Sequence, residues 1–98
     1  MKPGRELDLL VAEKVMGIDV NRRAATDIEI QRDGDWLPYY STNISAAWEV
    51  VEKMKEYFSL QDIRHKWHCQ IGYSQTVIGE SAPHAICLAA LKTKGVEV

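Results

Sequence analysis

Apolar positions recur at helical spacing in three stretches of the chain and alternate with polar ones in two others. Leu7, Leu10, Val11 and Val15 form one stripe and predict a helix from Arg5 to Met16. Glu6 and Asp8 in its first turn and Lys14 in its last suit the helix dipole, and Gly17 follows as a C-cap residue. Ile18 to Ala25, which contains Asn21-Arg22-Arg23, reads as a connector. From Thr26 to Arg32 the pattern alternates, with Ile28 and Ile30 opposite Glu29 and Gln31, predicting a short strand. Asp33-Gly34 signals a turn, Trp36 and Leu37 begin a return strand, and Pro38 cuts that strand short.

Ser41-Thr42-Asn43 offers N-cap residues for a second helix, expected from Ile44 to Phe58 on the stripe Ile44, Ala47, Trp48, Val51, Met54 and Phe58. The stripe predicts a core position for Trp48, and the apolar strand row that follows predicts one for Trp67. From Asp62 to Tyr73 the period changes to two. Ile63, His65, Trp67, Cys69, Ile71 and Tyr73 fall on one side, and Arg64, Lys66, His68 and Gln70 on the other. This predicts one long amphipathic strand, with Gln75 to Ile78 as its hairpin partner and Gly79 as the break. Ser81 then caps a last helix with Pro83 in its first turn, a stripe of small residues and Gly95 at its end, leaving a frayed tail at 95–98. The order α-β-β-α-β-β-α, with hairpin connections, predicts a single α+β domain over 1–98. It is a small α/β sandwich in which three helices cover a largely antiparallel four-stranded sheet.

The composition fits that picture: 98 residues, 46% hydrophobic and 27% charged, make one folded domain with a modest core. No apolar run is long enough to cross a membrane. Met1-Lys2-Pro3-Gly4-Arg5-Glu6 has no apolar segment after its charges, so no signal peptide is expected and the chain should stay where it is made. The net charge of −2 argues against binding polymeric nucleic acid but leaves room for a small anion.

The chain lacks the phosphate-loop, dinucleotide and nucleophile-elbow motifs. His65 and His68 point to opposite faces of a strand, and His65 and Cys69 lie about 13 Å apart on one, so no metal site or cofactor is expected. Cys69 and Cys87 read as small buried hydrophobes, and no residue pair stands out for catalysis, so enzyme activity is not expected. The row Arg64, Lys66 and His68 repeats about every 6.6 Å and suits phosphate groups, unless carboxylates on neighbouring strands balance it. Arg22, Arg23 and Arg32 could extend that patch. Trp36, Tyr39 and Tyr40 cluster around the turn before the second helix, where a base could stack, unless they pack in the core with their polar tips at the surface. A sheet only partly covered by helices calls for protection of its open face or edge, and a homo-oligomer provides it.

Tyr40-Ser41-Thr42-Asn43-Ile44-Ser45-Ala46-Ala47-Trp48-Glu49-Val50-Val51-Glu52-Lys53-Met54 resembles the helix motif of the phage ABA sandwich domain family. Glu6-Leu7-Asp8 to Glu13-Lys14-Val15-Met16-Gly17 resembles that family's start, and Gly79-Glu80-Ser81-Ala82-Pro83 to Lys92 its end. The order of elements is more distantly similar to the NinX-type proteins of lambdoid phages. The resemblance implies a phage or prophage origin and a host-cytoplasmic protein. One branch of the family holds Thoeris anti-defence sponges, oligomers that sequester cyclic ADP-ribose-type signals or cyclic oligonucleotides without cleaving them. On that reading Arg64, Lys66, His68, Arg22 and Arg23 would neutralise phosphates and Trp36 or Tyr40 would stack the base. The family pattern, by resemblance, carries an Arg where this chain has Leu88. The alternative is a phage interaction module that docks on a host factor through a sheet edge or the Tyr39-Tyr40 region.

Overall fold

The computed structural model of the protein describes residues 1–18 and 37–98. The expected strand at 26–32, the turn at 33–34 and the residues Trp36, Arg22, Arg23 and Arg32 lie outside the described residues. The rest forms α1 (Arg5–Lys14), α2 (Ile44–Met54), β1 (Phe58–Ile63), β2 (Lys66–Ile71), β3 (Val77–Gly79) and α3 (Ala82–Thr93). The sheet is antiparallel in the order β1-β2-β3, so the described residues contribute three strands to it, not four.

Helix ends follow local chemistry. Asn43 caps α2 by accepting from the Ala46 amide at 3.1 Å, and Ser81 caps α3 by accepting from the His84 amide at 3.3 Å. Beyond α3, Gly95 takes φ 80°, its amide bonds the Lys92 carbonyl and the Val96 amide bonds that of Leu91. That paired ending pins the chain past Gly95, and Val96 packs on the core, so the tail is not frayed at this point.

Two expected elements are cut differently. α2 stops at Met54 because Lys55 turns left-handed, and Phe58, expected as its last stripe residue, opens β1 instead. The expected long strand from Asp62 is two strands of a hairpin. Arg64 and His65 form its two-residue turn, both at positive φ (52° and 66°). Such a turn reverses which parity faces inward. Trp67, Cys69 and Ile71 therefore face the helices, while Ile63, expected beside them, is exposed on the other face.

α3 lies on the inner face of β2 and β3, flanked by α1 and α2. Every residue from Pro83 to Leu91 is buried. At the closest approach, a Cβ on Gly79 would stand 2.5 Å from the Ala85 amide nitrogen, so only glycine lets strand and helix meet there. Trp48 departs from expectation: it is 48% exposed and meets Phe58 edge to face at 5.5 Å.

Candidate functional site

Three polar arrangements stand out, and two of them hold the fold together. Asp8 on α1 is fully buried. One of its oxygens accepts from the Ser41 amide (2.7 Å) and hydroxyl (2.6 Å), and the other pairs with Arg5 at 2.8 Å. Arg5 also donates to the carbonyls of Leu37 (2.8 Å) and Pro38 (3.3 Å) and lies 3.9 Å over the Tyr39 ring. This knot ties α1 to the segment leading into α2. Among the described residues no buried side-chain nitrogen or oxygen lacks a hydrogen-bond partner, which is what a charge removed from water requires. His84, also buried, accepts at Nδ1 from the Glu80 amide (2.9 Å), so its proton sits on Nε2, which donates to the Met1 carbonyl (2.7 Å). Both ring nitrogens are therefore spent on structure.

The third arrangement is the outer face of the sheet. Lys66 and His68 share it, as the alternation predicts, but Arg64 stands in the turn at the hairpin tip and not in the strand row. Their cross-strand neighbours decide whether acids balance them. Lys66 lies opposite Ile63, and His68 lies between Gln61 and Ile78. None is a carboxylate. Glu80 follows β3 by one residue toward Lys66, and no ion pair joins them. Among the described residues the outer face thus carries Lys66 without an ion pair, and His68, beside exposed Ile63 and Ile78. Among the described residues no element packs over this surface and no pocket forms within one copy of the chain.

The expected aromatic platform is taken apart. Tyr40 is only 2% exposed, and burial pushes its phenol up to about 12, with the nearby Glu49 carboxylate adding to the shift. Its ring is a core element and offers no face to a base. Tyr39 is 49% exposed, under the Arg5 guanidinium. Leu88, where the family resemblance implies an Arg, is buried in α3 and faces the core. Cys69 and Cys87 are buried free thiols. Burial alone raises Cys69 to about 12, and burial foremost raises Cys87 still further, with Asp8 and Cys69 contributing. Neither is a nucleophile near neutral pH. Among the described residues no group of three or more His, Cys, Asp or Glu gathers in metal-binding geometry.

Sequence reasoning placed Lys66 and His68 together correctly. It missed the Arg5–Asp8–Ser41 knot, whose partners lie more than thirty positions apart and share no spacing signal. The only local hint was an acid at position 8 on the side of α1 that also carries Leu7 and Val11.

Comparison with known proteins closes the question of family. No curated protein matches the chain. A crystal structure of a phage protein from Bacillus cereus ATCC 14579 is similar at 32% sequence identity, with a TM-score of 0.79, over 100% of this chain and 92% of that one. The phage ABA sandwich domain matches residues 9–91, nearly the full length. The chain belongs to the phage ABA sandwich domain family.

Proposed function

We propose that this phage protein binds a small phosphorylated signal nucleotide of the host and holds it without cleavage, as a counter-defence sponge in the host cytoplasm. The observation that carries the reading is the outer sheet face, where the paired neighbours of Lys66 and His68 are uncharged, Glu80 just past β3 forms no ion pair with Lys66, and Arg64 stands in the adjacent turn. The Lys66 ammonium attracts phosphate, the His68 imidazole can donate to it, and the guanidinium of Arg64 can grip it with two parallel bonds. Among the described residues nothing packs over this face, and a second copy of the chain would enclose a ligand there. Exposed Ile63 and Ile78 supply apolar area beside the charges for a base or sugar.

The test is a thermal-shift screen with cyclic ADP-ribose isomers and cyclic oligonucleotides, followed by native mass spectrometry of the bound species. A ligand at a hundred times its dissociation constant stabilises by about 2.7 kcal/mol. Lys66→Glu with His68→Ala should abolish that shift without unfolding the chain. Absence of any shift with the wild type refutes the reading, and ligand turnover would make the protein an enzyme instead. The second reading, a module that docks on a host protein, draws on the exposed ring of Tyr39.

A further inference from the structure

His68 sits in the middle row of the outer face and is half-buried there. Gln61 of β1 and Ile78 of β3 pair with it directly, and Lys66 and Gln70 flank it on the same face of β2. Its diagonal neighbours are Ser59 and Ile63 on β1, and Thr76 and Glu80 on either side of β3. Directly opposed side chains stand about 4.5–5.5 Å apart and diagonal ones about 7–8 Å. Among the described residues the charged groups around His68 are therefore Lys66, the diagonal Glu80, and Arg64 with His65 beyond Lys66 in the turn. Glu80 forms no ion pair with Lys66 or His68. The α3 helix packs on the other face of the sheet and brings no charge to this side.

Two features separate His68 from Lys66. The lysine is charged at any pH near neutrality, whereas an imidazole gains or loses its charge there. A neutral imidazole offers phosphate one N–H, and an imidazolium offers two together with a positive charge. The two Cα atoms lie about 6.6 Å apart along β2, so one phosphate group can meet both heads. We infer that the site takes up a proton with its ligand: a phosphate diester or diphosphate seated over Lys66 and His68 is held by the imidazolium form of His68. The inference rests on the ligand reading above and adds its regulation. No carboxylate is paired with the ring in the chain itself, so the phosphate is the counter-charge that an imidazolium at this place lacks. An opposite charge within about 4–6 Å moves a titration by about one unit or more, and one unit is tenfold in affinity. The charged form is the one favoured in the complex. Binding is therefore tightest at low pH, weakens as pH rises through the imidazole range, and levels above it, where Lys66 and Arg64 hold the ligand alone.

Calorimetric titration of the full chain with cyclic di-AMP and with cyclic ADP-ribose tests this. A phosphate diester lacks the second proton that a monoester loses near pH 6, so the phosphates of these probes stay ionised throughout. The wild type should bind about tenfold more tightly at pH 5.5 than at pH 8.5. Titrations near pH 7 in two buffers of different ionisation heat should show net proton uptake on binding. His68→Gln keeps an amide donor without a titrating charge and should flatten the profile. Lys66→Met should weaken binding at every pH and keep the slope. His65→Gln, in the turn and outside the row, should keep the slope as well. Thermal melts at each pH check that every variant is folded. A flat profile in the wild type, or a slope that survives His68→Gln, overturns the inference and leaves the ligand reading standing. Binding of neither probe at any pH overturns both.

Discussion

α3 and α2 are of similar length and both are rich in apolar residues, yet they meet opposite fates. α3 is buried from Pro83 to Leu91, on every side, because the sheet lies beneath it and α1 and α2 flank it. α2 buries three residues and leaves Ile44 and Trp48 half open. The difference teaches that apolar content sets how much surface a helix must hide, while position in the layer sets what hides it. α3 is covered within the chain. α2 sits at the flank, where Val51 and Met54 pack on the core and Ile44 and Trp48 stay half open.

The largest way to break that contrast is chemical. The inner side holds Cys69, Cys87 and Tyr40, all with ionisation raised by burial, and the outer flank of α2 has no such group. A raised folded pKa favours the neutral form in the fold. The stabilisation is therefore fully present below the unfolded values, near 9 for the thiols and 10 for the phenol, and is lost as pH climbs to about 12. Denaturant melts should show a flat stability up to pH 8 and cooperative unfolding between pH 9 and 12. A protein equally stable at pH 7 and pH 11.5 would mean these groups are open to water.

Next in size are paired truncations. Leu91→Ala empties a site with no exposure and should cost about 3 kcal/mol, within the range for buried leucines. Trp48→Ala removes a larger side chain but should cost a dilute monomer only about 1 kcal/mol, chiefly the contact with Phe58. Urea midpoints measure both, and equal losses would erase the distinction between the helices. Gly79→Ala probes the same inner layer by overfilling. Its new methyl meets backbone of α3, which cannot swing aside, so about 2 kcal/mol should go, or a fall in Tm of about 8–16 °C.

The contrast also marks how far the sequence could be read. The capped start of each of these helices was legible, because Asn43, Ser81 and Pro83 act on their own neighbours. The end of α2 was not. Phe58 continues the helical stripe in register, and nothing marks Lys55 for a left-handed turn. The outer cations were half legible. Lys66 and His68 share a face on any strand, but the turn at Arg64 and His65 lacks the Asn-Gly that would announce it, so alternation ran on through the turn and carried Ile63 to the wrong face. Periodicity predicts a core position for Trp48 because it locates a stripe without saying which part of it the neighbours reach. Tyr40 and the Asp8 knot needed contacts between segments far apart in sequence.

That hidden turn gives the smallest and sharpest prediction. Arg64 and His65 both hold φ near 60°, a conformation that crowds Cβ against the backbone and costs an ordinary residue about 1 kcal/mol. Glycine carries no such crowding, and the second central position of this turn is the one Asn-Gly hairpins give to it. His65→Gly should therefore stabilise the protein by about 0.5–1 kcal/mol, even though glycine loosens the unfolded chain. The substitution leaves Arg64, Lys66 and His68 in place, so any ligand shift should persist unchanged. A loss of stability on His65→Gly would mean that the hairpin does not turn here, and Ile63 would return to the row of Trp67 and Cys69. A gain fixes the parity of both strands, which holds Lys66 and His68 on the open face and Trp67 and Cys69 beneath α3.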